Sequence, residues 1–562
     1  MTCIETFLYY SPIMCGLWAY LLRHGNLFDA TQYTRHEPWK HANANRGPDR
    51  MTEVQGADYH MVFHRLSIND LTWHGDQPFQ YEWGDGTMVH VMCNGEIYNY
   101  KQLIDTYNLR AKLRSSSDCE VIGHLIEHFQ GDQVKVARAL RGEFAFVARI
   151  EHPNGVVRVI AARDTFGVRP MYYGSIEKGI IFSSLLAGVV GFSPDAKGYH
   201  FPPGHAYSET LTQADENDGV FTPFSHVSPQ PPYAIDDSET EDKRLLAIYR
   251  RITDALIEAV RVRLEGEREF GFLLSGGLDS SLVVAIATKI IGIKKPRTFC
   301  IGFDKDATDI KFARLVSQYL GTNHTELVVS PKEAVEEVRD VIRALETYDI
   351  TTIRASVPQY ILAKHISEKT DIKVIMNGDG SDEVSNGYIY NYYAPSAVEA
   401  SKDAERLLRE IHCFDGLRVD RTLGAHGLEA RLPFLDPAFV AAYHSTEPEL
   451  RVPSQQHGRI EKQLLRDAFD ALYPGLLPKE ILFRRKEAFS DGVTQASVTK
   501  SWFAVLQKEA KRHKKEETEW YKEVFDFYFP EHRHILPHYW LPPSDWVTAT
   551  DPSARTLDAY SM

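Results

Sequence analysis

The stretch Ser275-Gly276-Gly277-Leu278-Asp279-Ser280-Ser281 constrains this chain more than any other. The apolar run before it, Phe270-Gly271-Phe272-Leu273-Leu274, reads as a buried strand, and Leu282 to Ile291 after it reads as a helix. Strand, glycine-rich turn and helix is the geometry in which backbone N–H groups and a helix N-terminus hold a phosphate. Gly276 and Gly277 let the backbone approach a ligand closely. Ser275, Ser280 and Ser281 add hydroxyl donors, and Asp279 offers an oxygen to a magnesium ion bridging phosphates. No Gly-Lys pair occurs anywhere in the chain, which excludes a Walker-type P-loop.

The surrounding pattern divides the chain. From Cys15 to about Ser208, short apolar strands such as Tyr59 to Phe63, Met88 to Met92, Phe144 to Ile150 and Val156 to Ala162 are separated by Gly, Pro and Asn turns. Helix-like segments fall at Glu120 to Gln130 and within 24 to 44. This predicts an α+β sandwich over 15–208. Residues 209–242 are polar, rich in proline and close on the acidic run Asp236 to Asp242, which reads as a linker. A long amphipathic helix follows, Lys243 to Glu265, with Leu246, Tyr249, Ile252, Leu256 and Val260 on one stripe. Strands at Phe270 to Leu274, Thr298 to Gly302, Glu326 to Val329 and Lys373 to Met376 then alternate with helices. That alternation predicts an α/β doubly wound parallel sheet in a domain covering 243–562.

Bulk properties narrow the class further. The formal net charge of −14 disfavours nucleic-acid binding. Six cysteines at 3, 15, 93, 119, 300 and 413, with no CxxC, fit reduced thiols and a cytoplasmic setting better than a disulfide framework. No run of 18 apolar residues exists, so no membrane span is expected. Small-molecule substrates remain the natural partners, with a homodimer left open.

In the first domain Met14-Cys15-Gly16-Leu17, Arg46-Gly47-Pro48-Asp49, Arg65-Leu66-Ser67-Ile68, Asn94-Gly95-Glu96-Ile97-Tyr98-Asn99 and Ser117-Asp118-Cys119-Glu120 appear in order. Together they resemble the class II glutamine amidotransferases, which hydrolyse glutamine on an N-terminal-nucleophile sandwich. The resemblance implies that Cys15 is the nucleophile, a thiolate being the strongest side-chain nucleophile for an amide carbonyl. Its base is then the chain's own α-amino group. Asn94 and the Gly95 N–H would form the oxyanion hole. The glutamine site would comprise Arg65, Leu66, Ser67, Ile68, Asn69, Asn94, Gly95, Glu96 and Asp118. Arg65 would clamp the α-carboxylate, and Glu96 and Asp118 would take the α-ammonium. Arg65 as a surface salt-bridge residue and Asp118 as a helix N-cap stand as alternatives.

Cys15 is not N-terminal as written, and an amide-bound nitrogen cannot act as a base. Initiation at Met14 with Met removal, cleavage of residues 1–14, or a dead site would each resolve this. A small residue after Met favours the first. Asn45 stands where the family usually has His. His124-Leu125-Ile126-Glu127-His128 matches an H-x-x-E-H zinc pattern but lacks a third ligand and reads as a solvated helix face.

The second domain adds Phe299-Cys300-Ile301-Gly302, Glu346-Thr347-Tyr348-Asp349-Ile350-Thr351-Thr352-Ile353-Arg354-Ala355-Ser356, Asn377-Gly378-Asp379-Gly380-Ser381-Asp382-Glu383, Gly427 to Asp436, Glu461-Lys462 and Arg485-Lys486. With the serine-glycine loop these are similar to the N-type ATP pyrophosphatases, and the whole series is similar to the glutamine-hydrolysing asparagine synthetase family, even in the tail Asp551 to Arg555. The resemblance implies ATP as co-substrate and Mg2+ as cofactor. The ATP residues would be Leu274, Ser275, Gly276, Gly277, Asp279, Ser280, Ile301, Asn377, Gly378, Lys462 and Lys486. Asp279 and Asp382 would hold the metal, Asp379 would act at the adenylating centre, and Arg354 would meet the aspartate carboxylate. Lys486 as part of a structural ion pair is the alternative for that residue.

The chain departs from the family where Asp379 replaces Glu, where Ser385-Asn386 replaces Phe-Gly, and where Leu185 and Ala187 replace a Glu and a Lys near the expected domain interface. The last of these bears on the passage of ammonia. A relative that adenylates another carboxylate, such as a β-lactam-forming synthetase, is the runner-up. A decayed homologue acting as a binding protein is the non-enzymatic alternative. Intact Cys15 and the Thr351-Thr352-Ile353-Arg354 string oppose the former. Asp279, Asp382, Lys462 and Lys486 oppose the latter.

Overall fold

In the computed structural model, which describes residues 15–23, 26–28, 42–176, 178–192, 196–212, 219–225, 240–485, 493 and 502–547, every residue of the strand Gly16–Leu22 is buried. Successive side chains of a strand point to opposite faces, so burial along its whole length requires an apolar layer on each side. Leu17, Ala19 and Leu21 pack with Met92, Ala145 and Val147 of a second sheet. Trp18, Tyr20 and Leu22 face the other way and join the apolar core of the C-terminal half.

The first sheet is antiparallel and runs, in spatial order, Tyr199–His200, Tyr172–Ile176, Gly179–Ser183, Gly16–Leu22, Tyr59–Arg65 and Arg50–Gln55. The second, also antiparallel, runs Val220–Pro223, His205–Thr210, Val157–Arg163, Gly142–Glu151, Met88–Ile97 and Phe79–Glu82. The helix Val121–His128 covers its outer face. This is the expected α+β sandwich, with one change of boundary. Residues 209, 210 and 220–223 read as linker from their composition but pair in the second sheet: 209 and 210 end the strand His205–Thr210, and Val220–Pro223 is an edge strand, which needs only one buried face. Residues 226–239, also in that linker, lie outside the described residues, as does most of the helix expected within 24–44.

The C-terminal half holds a five-stranded, wholly parallel sheet in the order Asn323–Val328, Arg297–Gly302, Phe270–Leu273, Val374–Met376, Glu429–Arg431. In chain order this is third, second, first, fourth, fifth. The order reverses between Phe270–Leu273 and Val374–Met376, and doubly wound sheets bind ligands in the crevice at the carboxyl ends of such strands. The helix after the first strand begins at Leu278, earlier than its apolar periodicity suggested, and ends in a π-helical turn, Ile286–Ile291. The long helix spans Glu241–Val262 and buries Ile252, Leu256 and Val260, while Leu246 stays exposed at its first turns.

Candidate active sites

The Ser275–Ser281 turn leaves the first parallel strand and caps the helix Leu278–Ala285. Gly276 takes φ +72°, and a Cβ there would stand 2.3 Å from the Phe312 carbonyl carbon, so the position demands glycine. The Ser275 and Ser280 hydroxyls lie 3.2 Å apart, and Gly277 N–H donates to Ser275 Oγ at 3.3 Å. The loop after the fourth strand, Asn377 to Asp382, comes alongside: a methyl on Gly378 would lie 2.7 Å from Ser280 N.

Lys462 ties the two loops together. Its Nζ is 2.5 Å from Asp279 Oδ2 and 2.6 Å from Asp382 Oδ1, and the residue is 1% exposed. Ser381 Oγ donates to Asp279 Oδ1 at 2.7 Å. Asp279, Asp382 and Lys462 share a cavity of about 130 Å³ with Leu274, Ile301, Asn377, Asp379 and Arg418. The structure therefore gathers Leu274, Ser275, Gly277, Asp279, Ser280, Ile301, Asn377, Gly378, Asp379, Asp382 and Lys462 around one space. Lys486 lies outside the described residues; Arg484 and Arg485, just before it, line the same cavity.

Asp379 accepts from Arg418 Nη2 at 2.9 Å, and Arg418 also meets Asp415 at 2.5 Å. Beside them Tyr388 donates to Glu383 at 2.5 Å and to Asp415 at 3.2 Å. Burial, with Asp415 and Asp382 nearby, pushes the Glu383 carboxyl well above its ordinary range. Nothing local in the sequence marks Arg418, which arrives from the helix Asp415–Gly424 only on folding. Asn386, standing where the family has Gly, adopts φ +51°, which asparagine tolerates better than most residues, and donates to Ala400 O at 2.7 Å.

Arg354, expected at the aspartate carboxylate, is paired within the protein. Its fork is taken bidentately by Glu517 of the helix Glu517–Tyr528, at 2.9 and 2.7 Å, over the ring of Phe503. It does not line the cavity. An arginine 3% exposed needs a carboxylate partner, and the distant helix supplies one that sequence proximity could not reveal.

In the sandwich half, the Cys15 thiol donates to Leu66 O at 3.3 Å and accepts from Leu66 N at 3.2 Å. Burial pushes it up to about 12. Arg46 Nε donates to the Cys15 carbonyl at 3.0 Å, and the same guanidinium grips Asp420 of the other half at 2.8 and 3.0 Å. Asn94 Nδ2 approaches Ser184 Oγ at 3.5 Å, the hydroxyl that also accepts from Leu17 N at 3.1 Å. Gly95 sits at φ +144°, and a Cβ would fall 2.0 Å from Glu143 O.

Asn69 Nδ2 donates to Glu96 at 2.7 Å and to Asp118 at 3.1 Å, so these three residues meet. Burial, then Asp118, pushes Glu96 well above its ordinary range, and burial likewise raises Asp118. Asp118 accepts from Ile97 N at 2.6 Å rather than capping the helix that follows. Arg65 is held inside its own loop by the carbonyls of Thr72, Asn69 and Asp70 and by Asp76, and is 4% exposed, so it is not a surface salt-bridge residue. Leu66 and Ile68 pack on Val374 and Phe270 of the parallel sheet, and Ser67 O accepts from Arg268. His124 corrects the solvated-helix reading: it is buried against the Tyr81 ring, while His128 is exposed. No metal-ligand group of three or more His, Cys, Asp or Glu occurs among the described residues.

The junction between the halves is built from buried ions. Arg263 joins Glu143 and Asp436 at 2.8 Å each, Arg169 meets Glu143 at 3.2 Å, and Arg431 meets Glu96 at 3.2 Å. Leu186 and Ala187 donate backbone N–H groups to Glu346, each at 2.8 Å. The segment where side chains depart from the family is therefore anchored by its backbone.

Fold and sites together define a two-domain protein class: an amidotransferase sandwich fused to a doubly wound nucleotide-type sheet. A glutamine amidotransferase domain model matches residues 14–213, and an asparagine synthase model matches 251–412 and 394–550. The glutamine-hydrolysing asparagine synthetase of Gallus gallus is 39% identical, covering 97% of this chain and 99% of its own length. That of Mus musculus is 38% identical with the same coverage. A solved glutamine PRPP amidotransferase from B. subtilis is 16% identical at TM-score 0.30, covering 50% of this chain and 64% of its own, too distant to bear on the assignment. The chain belongs to the glutamine-hydrolysing asparagine synthetase family.

Proposed function

We propose that the chain converts aspartate, glutamine, ATP and water into asparagine, glutamate, AMP and pyrophosphate. The observation that carries this reading is the pairing of Asp279 and Asp382 through Lys462, at the switch point of a parallel sheet, beside a phosphate-type turn. Glutamine hydrolysis belongs to the sandwich. Cys15 attacks the amide carbonyl, and Asn94 with the Gly95 N–H stabilises the oxyanion. Among the described residues the thiol's hydrogen-bonding partner is Leu66, which offers no base. In this reading the proton passes to the α-amine of Cys15 itself, made free by initiation at Met14 and removal of that methionine. Collapse of the tetrahedral adduct expels ammonia, which takes the proton back from the amine, and water then hydrolyses the thioester to glutamate and the free thiol. Glu96 and Asp118, raised carboxyls held by one asparagine amide, suit the α-ammonium of glutamine.

In the other half, the aspartate side-chain carboxylate attacks the α-phosphorus of ATP and pyrophosphate leaves. Lys462, with Lys486 as a further proposed contact, neutralises the leaving charge. Asp279 and Asp382 present hard carboxylate oxygens that fit Mg2+, which when bound supplies further charge neutralisation at the phosphates. Asp379, oriented by Arg418, faces the cavity where the aspartyl-adenylate would form. Ammonia then displaces AMP. At neutral pH free ammonia is mostly ammonium, so transfer needs a shielded route between the two halves. The domain division at 15–208 and 243–562 is proposed with it, the strands at 209, 210 and 220–223 being added to the first domain.

The five described cysteines are free thiols, in keeping with a cytoplasmic enzyme, and no described helix is long and apolar enough to cross a membrane. Sizing of the purified protein tests a homodimer. The deciding assay is AMP and pyrophosphate release with aspartate, driven by glutamine or by ammonia. Release of both products with asparagine formed is expected. Turnover with another carboxylate but not aspartate would favour the runner-up, and no turnover with any would favour a binding protein.

A further inference from the structure

The wall of the ATP cavity formed by Phe299, Cys300, Ile301, Leu273, Leu274 and Leu362 is apolar except for one side chain, Gln359. Gln359 lies on the helix Ile350–Lys369, which packs against the strand Arg297–Gly302. It is 2% exposed, yet neither its Nε2 nor its Oε1 has a hydrogen-bonding partner. The Asn377 Nδ2, in the same cavity, is likewise without a partner. A buried carboxamide left wholly unsatisfied is costly, so such groups are retained where a ligand completes them.

The position identifies the ligand part. The phosphate end of the cavity is marked by the Ser275–Ser281 turn, Lys462 and the arginines 484 and 485. Gln359 instead comes from the helix packed against Arg297–Gly302, whose Phe299, Cys300 and Ile301 supply apolar lining of the kind that holds a base. A carboxamide offers one acceptor and two donors. An aminopurine edge offers the complement, an N–H donor next to a ring-nitrogen acceptor, and glutamine pairs with adenine in this way. We propose that Gln359 reads the 6-amino edge of the adenine ring and is a specificity-determining residue of the nucleotide site. The inference rests on the ATP-dependent reading above. Nothing in the sequence motifs marks this residue, which is a single polar position in the run Val357-Pro358-Gln359-Tyr360-Ile361-Leu362.

The test compares the full-length protein with Gln359→Met, which keeps length and volume, and with Gln359→Glu, which keeps shape but loses the amide donors. ATP and purine riboside triphosphate, which lacks only the 6-amino group, are titrated calorimetrically, and aspartate-dependent pyrophosphate release is measured with each. Wild type should bind ATP more tightly than the analogue. In Gln359→Met the Kd and KM for ATP should rise roughly tenfold, and the preference for ATP over the analogue should shrink by roughly the same factor. The KM for aspartate and the glutaminase rate should hold, the latter reporting that the variant is folded. An intermediate shift is expected for Gln359→Glu. Unchanged ATP affinity and unchanged preference in Gln359→Met would overturn the inference, as would a wild type indifferent to the 6-amino group. Wild type that binds ATP but turns over no aspartate would defeat the functional reading alone, since the binding comparison still tests Gln359. Wild type that binds no ATP would defeat both.

Discussion

In the sandwich half, Glu96 and Asp118 draw their nearest positive charge from Arg431 of the other half, 3.2 Å from Glu96. In the parallel-sheet half, Asp279 and Asp382 are bridged by Lys462 of their own half, at 2.5 and 2.6 Å. Both are pairs of carboxylates drawn together in space. One pair is balanced locally, and the other borrows its counter-charge across the domain junction. Arg431 is also linked by its backbone to the ATP cavity, because its carbonyl accepts from Asn377 N at 3.1 Å. On the proposed reading the glutamine site takes its counter-charge from the synthetase half, while the ATP site carries its own. Leu66 and Ile68, packed on Phe270 and Val374, extend the same dependence from charge to packing.

The comparison breaks most sharply at the nucleophile. Cys15→Ala should lower glutamine-dependent synthesis by roughly four to six orders of magnitude, as removal of a nucleophile does elsewhere. Ammonia-dependent synthesis should persist in the same protein, measured as AMP release. Equal loss of both would mean that the two halves are not separate catalysts.

Lys462→Met should act in the opposite sense. Removing the local counter-charge leaves Asp279 and Asp382 facing each other, and pyrophosphate release should fall roughly 10²–10³-fold. Glutaminase activity should stay near wild type, because its charge balance lies elsewhere. A matching fall in glutaminase would show that this pair, too, is shared across the junction.

Asp379→Ala should remove about 2–4 kcal/mol of transition-state stabilisation from the aspartate-dependent reaction. Asp379→Glu, which restores the family residue, should keep or raise the rate if the carboxylate still reaches Arg418. The measurement is kcat/KM for aspartate in wild type and both variants. Wild-type behaviour of Asp379→Ala would remove this residue from the mechanism.

The smallest effect sharpens the contrast. Arg431→Met should raise the KM for glutamine about tenfold, through loss of a charge-assisted contact, and spare ammonia-dependent synthesis. The cause is protonation: burial and Asp118 already raise Glu96, and losing Arg431 raises it further. A carboxyl raised on folding favours the native state only at low pH, and that contribution is lost as pH rises through its folded value. The α-ammonium of glutamine, arriving at this pair, should therefore displace protons on binding, more in Arg431→Met than in wild type. Calorimetry in buffers of different ionisation enthalpy reads this number. Binding without proton release in either protein would show that the pair is already ionised.

Much of this was legible in the chain. The Ser275–Ser281 turn, the alternation of strands and helices after it, and the five ordered motifs before residue 208 each depend on residues close in sequence. Local periodicity and turn chemistry therefore placed them. The reach of that reasoning ended at single side chains that find partners far away. Arg354 pairs with Glu517, 163 positions on, a partner that no local pattern reveals. Arg418 and Gln359 bore no motif and came to the cavity only because their helices pack beside the switch point. The Val220–Pro223 strand was hidden because an edge strand exposes much of its surface and so carries a weak apolar signal.

Sequence by itself determined the two fold classes and the positions of Cys15, Asp279, Asp382 and Lys462. It did so because tight turns, strand alternation and phosphate-type loops are specified by neighbouring residues. Only the tertiary structure decided which charges neutralise which: Lys462 between two aspartates of its own half, Arg431 reaching across to Glu96, Arg354 turned away to Glu517. Electrostatic pairing acts over a few ångströms of space whatever the separation along the chain. Its outcome therefore exists only after the layers have packed.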